Sequence, residues 1–283
     1  MAYLYVAPAF LFLSFVLLVP LGMTAGPSLV KWDGVGPMTF VGLDNYLAFA
    51  DDQLFQAAMG NAIRLTLFYS ALPIVIGFLL ASALARIRVR VMTPLRTLLF
   101  LPAVIAPVVV AVGWRLIYEP TSGILNQFLA SVGAGGLALP WLGDFDLALP
   151  AVGVVATWME YGLVMVLFLA GIQKIPLELY DAARVDGAGL WQEFRAVTLP
   201  GLRNELAVAV VVTVIASFRN FDLVFNLSRG GPGTSTDVPV LEVYRRGFLH
   251  GEVGSGAAIG LTIAIVVLLL TAVMLGFSRR WAE

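Results

Sequence analysis

The sequence lacks several residue types on which enzymes and soluble proteins commonly depend. It contains no cysteine and a single histidine, His250. Disulfides, thiol catalysis and cysteine-ligated metals are therefore excluded, and a histidine metal cluster or a Ser-His-Asp triad is disfavoured. Charged residues are also scarce, at 12% of the chain, against about a quarter in an ordinary soluble domain. The formal net charge of −1 offers no field that would attract nucleic acid, so no nucleic-acid partner is expected.

Apolar residues take the place of the missing charges. They make up 60% of the 283 residues, and the mean hydropathy is +0.92. A helix that crosses a bilayer needs about 20 mostly apolar residues. We therefore expect an all-α membrane protein with membrane lipid as its solvent. It should form a single domain, residues 1–283, with six membrane helices, at about 3–25, 62–85, 97–118, 148–172, 204–226 and 257–277.

The first apolar stretch is expected to be a retained membrane helix. It is longer than the apolar part of a secretory signal, and no small-residue cleavage site follows it. No basic residue precedes it, which is unusual for a cytoplasmic amino terminus and compatible with a short missing tail.

Basic residues predict the orientation, because cytoplasmic loops are enriched in Lys and Arg. Three segments on one side of the predicted bundle carry them: Arg86, Arg88, Arg90 and Arg96; Lys174, Arg184, Arg195 and Arg203; and Arg279 and Arg280. We expect these segments, and both termini, to be cytoplasmic in a cell inner membrane. One loop of the opposite side is an exception, since its basic residues are balanced by acidic ones: Arg229, Arg245 and Arg246 with Asp237, Glu242 and Glu252.

Residues 176–200, called the elbow below, predict two short helices joined by a turn on the cytoplasmic face. Pro176 suits the first position of a helix, and Gly187 lies where a left-handed residue would end that helix. A second helix is expected from Leu190 to about Val197, before Pro200 ends it. Such an elbow is suited to docking a second protein, although a generic amphipathic loop remains the alternative.

The elbow carries a spaced motif, Asp181-Ala182-Ala183, Asp186-Gly187-Ala188 and Leu199-Pro200. This motif resembles the EAA loop of binding-protein-dependent ABC importer permeases. The resemblance implies that the elbow forms coupling helices, which insert into a cleft of a cytoplasmic ATPase and transmit its movements to the membrane helices. Asp181 stands where the family usually has Glu, which keeps the carboxylate and shortens its reach by one methylene.

Shorter motifs over nearly the whole chain resemble the carbohydrate-uptake branch of these permeases, in particular the larger permease of the pair in the maltose and glycerol-phosphate systems. They are residues 41–46, Leu101-Pro102, Asn126, 169–176, Phe221-Asp222 and 230–236. The resemblance implies the type I ABC importer permease fold. It also implies four kinds of partner: a second homologous permease subunit, two cytoplasmic ABC ATPase subunits, an extracytoplasmic solute-binding protein and a sugar-like solute.

No phosphate-binding Walker loop is present, because neither lysine, Lys31 nor Lys174, follows a glycine. The chain is therefore expected to be a translocation subunit and not an enzyme. We expect no cofactor in this chain, with ATP and Mg bound by the partner ATPase.

Two sets of polar residues are candidates for the solute pathway. An ionisable residue at mid-membrane is a functional-site hypothesis by default, and Glu160 is such a residue, flanked by Trp158 and Tyr161. Thr213, Ser217 and Asn220 are spaced to share one helical face. By the resemblance, the three residues of this stripe align with polar solute-contact positions of the maltose-system permease, and Glu160 aligns with a contact position occupied there by a different residue type. The alternatives are a Glu160 ion pair that holds the bundle together and interhelical hydrogen bonding by the stripe.

Other functions remain open at this stage. An ion-gradient-driven secondary transporter would show two related halves with broken helices, and no such repeat is evident. An intramembrane enzyme could use Glu160 as a base, although no metal cluster or nucleophile accompanies it. A structural scaffold would leave the elbow motif unexplained. A permease of the same superfamily for a non-sugar solute is also possible, and the sequence does not identify the solute.

Overall fold

The computed structural model describes residues 2–86 and 92–282, and about three quarters of them lie in helices. Of the basic residues that predicted the orientation, Arg88 and Arg90 lie outside the described residues, as do the side chains of Arg86, Arg279 and Arg280.

The regular elements of the described residues follow one another with short connections. The α-helices are α1 (Ala2–Ser28), α2 (Asp44–Ala50), α3 (Gln53–Thr66), α4 (Leu72–Arg86), α5 (Met92–Val104), α6 (Pro107–Ile117), α7 (Ile124–Ser131), α8 (Ala148–Ile172), α9 (Leu177–Val185), α10 (Leu190–Glu193), α11 (Leu199–Gly201), α12 (Arg203–Phe218), α13 (Asp222–Leu227), α14 (Pro239–Tyr244) and α15 (Val253–Ala282).

Several short elements complete the described chain. Strands β1 (Val30–Lys31) and β2 (Thr39–Phe40) form an antiparallel pair. A 3₁₀ turn covers Gly135–Leu137. Wide π-helical turns lie at Leu67–Ala71, Phe194–Thr198 and Arg245–Leu249, where they join or extend α-helices.

Four described helical segments are long and apolar enough to cross a membrane, and the number is six if each of two bent helix pairs forms one crossing. The prediction of about six membrane helices agrees with this range. The fourth helix has the expected bounds, Ala148–Ile172. The second begins at Gln53, earlier than expected, because the Asp52 side chain accepts a hydrogen bond from the Leu54 amide and caps it.

Two of the expected continuous helices are broken. The stretch 97–118 divides into α5 and α6, which meet at 94°. Ala106 is extended at the junction, as expected for a residue before a proline, here Pro107. The stretch 204–226 divides as well, since α12 ends at Phe218 and α13 begins at Asp222. No proline or glycine lies within that second break.

Helix α8 lies at the centre of the bundle. It packs against α4, α5 and the Leu67–Ala71 turn, and its Val152, Val164 and Met165 side chains are fully buried. Helix α1 packs at the periphery on α15 and leaves large apolar side chains exposed, such as Tyr5 at 85% and Phe12 at 71%. Apolar side chains on the outside of a helical bundle indicate contact with lipid.

Candidate functional site

The elbow adopts the two-helix form that its sequence predicts. Helix α9 starts directly after Pro176 and ends at Val185. Gly187 then has a φ of +80°, in the left-handed region that favours glycine. The second half begins at Leu190 but differs from the expectation at its end, because helical structure continues past Pro200 to Gly201. Pro200 is tolerated there at the start of a new turn, where the missing N–H has no partner to lose.

Two side-chain contacts hold the halves of the elbow together. The Arg184 Nε donates to Glu193 Oε1 at 2.8 Å, and the Glu193 side chain is only 5% exposed. This hydrogen bond and the charge of Glu193 raise the pKa of Arg184. The Tyr180 and Thr198 hydroxyls lie 3.1 Å apart, within hydrogen-bond distance. The elbow is therefore an ordered unit with its own internal contacts.

The surface of the elbow is uncovered in this chain. Val185 is 88% exposed and Trp191 is 69% exposed. Of the motif residues, five are exposed and three are half-buried: Asp181, Ala182, Asp186, Gly187 and Leu199, and then Ala183, Ala188 and Pro200. Large apolar side chains that no part of the chain covers are typical of a protein interaction site.

A row of aromatic rings connects this exposed surface to the centre of the bundle. Trp191 and Phe194 have ring centroids 5.1 Å apart, Phe194 lies 5.0 Å from Phe78 on α4, and Phe78 lies 6.0 Å from Phe168 on α8. Phe168 is only 2% exposed. We call these four rings the elbow row. It gives the elbow a direct packing contact with α4, through Phe194 and Phe78, and an indirect one with α8, through Phe78 and Phe168.

A cavity of about 450 Å³ lies between α8 and α12, around the break that follows Phe218. The residues that line it are Tyr69, Pro107, Met159, Glu160, Val212, Ile215, Ala216, Arg219, Asn220, Phe221, Asp222 and Leu223. Glu160 and Asn220, two of the predicted pathway residues, are thus brought to one cavity. Within the described part of the chain, no ion pair joins Arg219 to Glu160 or Asp222.

The three residues of the predicted polar stripe do not share a role. The Thr213 hydroxyl donates to Ser70 at 2.8 Å, and the Ser217 hydroxyl donates to the Ala62 carbonyl at 3.1 Å. Both side chains are fully buried and neither lines the cavity. Thr213 and Ser217 thus form hydrogen bonds between helical segments, which was the alternative to a role in the solute pathway.

Asn220 differs from its two neighbours in the stripe. It lies beyond the end of α12, so the expectation that a continuous helix carries all three residues is wrong. Its side chain is only 6% exposed, it lines the cavity, and among the described residues its amide nitrogen has no hydrogen-bond partner. A buried donor without a partner is costly, which suggests that a ligand satisfies it.

The aromatic neighbours of Glu160 in the sequence do not join it at the cavity. Trp158 packs against Trp114, with ring centroids 5.9 Å apart, and neither Trp158 nor Tyr161 lines the cavity. The physical reason is helical geometry, since Trp158, two residues before Glu160, points in nearly the opposite direction, and Tyr161, the next residue, is turned by about 100°. Tyr69 and Phe221 supply the aromatic rings of the cavity instead.

We call the end of the bundle reached at the carboxyl end of α12 the far end, because α12 begins at the elbow. The far end holds a cluster of charged side chains. The sequence indicated only that basic and acidic residues balance each other in this loop. Arg245 Nη1 donates to Asp237 Oδ2 at 2.6 Å and to Glu242 Oε1 at 2.9 Å. Arg246 contacts Asp52 and Glu242. We call these five residues the far charge cluster. Burial raises the pKa of Asp237, and the hydrogen bond and charge of Arg245 oppose that rise.

The far charge cluster is not a metal site. Its acidic groups face arginines, and among the described residues no group of three or more His, Cys, Asp and Glu could hold a metal ion. Asn61 on α3 adds to its rigidity by donating to the Thr234 and Asp237 carbonyls at 3.0 and 3.1 Å.

A second row of aromatic rings at the far end was not predicted. Phe221 and Phe225 stack with centroids 5.1 Å apart, each lies 5.4 Å from Tyr244, and Tyr244 stacks on Phe248 at 5.9 Å. We call these four rings the far row. The spacing of four residues within each of the pairs 221/225 and 244/248 was a usable sequence signal.

The fold and the site together define a polytopic membrane protein. Its cavity lies between two helices, and an exposed elbow connects these helices. The chain belongs to the family of binding-protein-dependent transport system inner membrane components, whose model matches residues 3–283. This confirms the family that the elbow motif predicted, the ABC importer permeases.

Relatives agree with this assignment, and a solved structure shares the fold. The probable ABC transporter permease protein YurN of Bacillus subtilis is 36% identical over 99% of this chain and 97% of its own length. The diacetylchitobiose uptake system permease protein NgcF of Streptomyces coelicolor is 31% identical, over 96% of this chain and 80% of its own. A chain of a bacterial ABC transporter involved in import of the acidic polysaccharide alginate shares the fold, with a TM-score of 0.82 and 24% identity over 100% of this chain and 96% of that chain.

Proposed function

We propose that this permease is one of two homologous subunits that form the pathway of an ATP-driven importer for a sugar or sugar-like solute. The observation that carries the proposal is the elbow: an ordered, exposed pair of short helices that directly joins the two helices flanking the cavity. Helix α8 ends at Ile172, just before the elbow, and α12 begins at Arg203, just after it.

This connectivity gives a physical route for coupling. A partner that moves the elbow also moves the ends of α8 and α12, and these helices carry Glu160 and Ala216 to the cavity. The elbow row adds side-chain packing of Phe194 on Phe78 and of Phe78 on Phe168. Packed interiors resist compression, so displacement of the elbow is transmitted to the helices and not absorbed locally.

The energy source is a separate polypeptide, since the sequence has no phosphate-binding loop. Two cytoplasmic ATPase subunits bind ATP and Mg and dock on the elbows of the two permeases. The elbow and both termini are then cytoplasmic, and the far end faces the extracytoplasmic solute-binding protein.

The cavity supports a sugar-like solute. Asn220 offers an unused buried donor, Glu160 offers an acceptor, and Phe221 offers a ring face beside them. Sugars present hydroxyls and apolar C–H faces to such groups. The diacetylchitobiose name of the relative NgcF supports the same solute class.

The test of this function is a bulky substitution in the elbow with a matched control. Gly187 and Gly133 both have a φ of +80°, and a Cβ at either would meet no atom within 4 Å. Gly187→Trp and Gly133→Trp therefore carry the same backbone strain in equally open surroundings. Only Gly187→Trp should abolish uptake, because a bulky group within a docking surface weakens binding of the ATPase about 30-fold or more.

Uptake by reconstituted importer and co-purification of the ATPase subunit measure this difference. Equal loss of uptake in both variants would assign the effect to backbone strain. Full uptake and full ATPase retention in Gly187→Trp would contradict the elbow as the coupling site. Uptake that persists without ATP and collapses with the ion gradient would favour a secondary transporter.

A further inference from the structure

We propose that the far row, made of Phe221, Phe225, Tyr244 and Phe248, is a stacking path along which the ring of a sugar moves between the exposed far surface and the cavity. The inference rests on the proposed function, since it assigns a route to the same solute. It adds a binding surface that lies outside the cavity and away from the elbow.

Continuity is the first support for this path. Phe221 belongs both to the far row and to the lining of the cavity that contains Glu160 and Asn220. From Phe221 each ring lies within 6 Å of the next, and the row ends at Phe248, which is 79% exposed. The rings therefore join the open surface to the cavity without a gap.

The partial exposure of the rings is the second support. Phe221, Phe225 and Tyr244 are half-buried and Phe248 is exposed, so this chain leaves part of every ring in the far row uncovered. Within the described residues the Tyr244 hydroxyl makes no hydrogen bond, so it is available to a solute hydroxyl beside the ring faces. Ring faces with a free polar group at their edge match the surface of a sugar.

Rigidity is the third support. Tyr244 immediately precedes Arg245, which is fixed by Asp237 and Glu242 of the far charge cluster. Arg245 also donates to the Arg229 carbonyl at 3.0 Å. These bonds hold the turn that carries Tyr244 and Phe248 in place. Pre-positioned rings bind a solute without a cost for ordering them.

The inner end of the path has a group that would receive the solute. Asn220 is 6% exposed, lines the cavity and has an amide nitrogen without a partner among the described residues. Weak stacking along the row followed by hydrogen bonding at Asn220 would let a sugar enter in steps and bind at the cavity. Stacking without directional bonds suits passage, because a bound ring can leave as easily as it arrived.

The experiment compares three variants of the reconstituted importer with its ATPase, partner permease and solute-binding protein. Phe248→Leu keeps an apolar side chain and removes the ring, Phe248→Trp keeps a ring, and Leu249→Ala alters the adjacent exposed residue outside the row. Uptake of a panel of radiolabelled sugars is measured as a function of the concentration of the solute-loaded binding protein.

The path predicts that Phe248→Leu lowers maximal uptake about fivefold, with Phe248→Trp and Leu249→Ala within about twofold of wild type. The concentration of binding protein at half-maximal uptake should not change. Wild-type rates in Phe248→Leu would overturn the path. So would a raised half-maximal concentration, which indicates docking of the binding protein, or loss of the co-purified second permease, which indicates a subunit interface.

Failure of the proposed function would look different. In that case the wild-type importer would take up no sugar in the panel, whatever residue stands at position 248. Uptake of sugar by wild type with no effect of Phe248→Leu would overturn the path alone.

Discussion

The two ends of the permease use the same kinds of group with different degrees of burial. Each end has a row of four aromatic rings that starts at an exposed residue, Trp191 at the elbow and Phe248 at the far end. Each also has an arginine paired with a buried carboxylate. The arginine is 60% exposed at the elbow, for Arg184, and 26% exposed at the far end, for Arg245.

This difference in burial suggests how the ends work. At the far end Arg245 is bound by two buried acidic side chains and a backbone carbonyl, which fixes the turn around it. At the elbow a single buried acid, Glu193, pairs with Arg184, and the surrounding apolar surface is open. The far end is therefore fixed by its own contacts, whereas the open surface of the elbow fits the docking of a partner that we propose.

The largest effect is expected from breaking the far charge cluster. Arg245→Ala leaves Asp237, which is fully buried, without a cation and leaves Glu242 with only its longer contact to Arg246. Removing one partner of a buried ion pair costs about 3–5 kcal/mol of folding free energy. Thermal unfolding of the purified protein should therefore shift to a clearly lower temperature.

The pH dependence of this loss has a definite sign. Burial raises the pKa of Asp237, so without Arg245 the folded state binds a proton more tightly than the unfolded state. The deficit of Arg245→Ala should shrink as pH falls and grow as pH rises through that raised pKa. Lys174→Ala is the control, because the Lys174 side chain is 73% exposed in its pair with Glu205 and such pairs contribute about 1 kcal/mol or less. Equal losses of stability in Arg245→Ala and Lys174→Ala would contradict the claim that the burial of the far charge cluster makes it more stabilising than an exposed ion pair.

A smaller effect is expected at the cavity. Asn220→Ala removes the buried donor, and one neutral hydrogen bond is worth about 1 kcal/mol, or a roughly fivefold weaker affinity. Equilibrium binding of labelled solute to the complex locked with ATP measures this. Binding at wild-type affinity would make Asn220 a structural residue, and Glu160→Gln tests the acceptor in the same assay.

The smallest effect is expected from the buried hydrogen bond of α12. Thr213→Val removes the bond to Ser70, and such bonds in membrane proteins average about 0.6 kcal/mol. Thermal unfolding should drop slightly, while solute affinity stays unchanged. A loss of solute affinity in Thr213→Val would show that Thr213, like Asn220, belongs to the solute pathway.

The elbow could be predicted from the sequence because its signals are local. Pro176 and Gly187 set the ends of the first helix through their own backbone preferences, which need no tertiary contact. The bounds of α8 could also be predicted from a local signal, one long run of apolar residues. The break at Pro107 was also marked in the sequence, although a single continuous helix was expected there.

The cavity could not be predicted in full because it depends on contacts between distant segments. The end of α12 at Phe218 has no proline or glycine to announce it, so Asn220 was assigned to the same helical face as Thr213. The contact of Tyr244 with Phe221 joins residues 23 positions apart, and no periodic pattern encodes it. The side of α8 that faces the cavity was likewise decided by packing.

The measurement that tests the coupling claim most directly is the side of the membrane on which the elbow is exposed. Because the chain has no cysteine, Val185→Cys and Val35→Cys each carry a single thiol, and the native side chains are 88% and 96% exposed. A membrane-impermeant maleimide should label Val35→Cys in intact spheroplasts. Val185→Cys should react only after permeabilisation and be protected by bound ATPase subunit, whereas its labelling in intact spheroplasts would contradict the account.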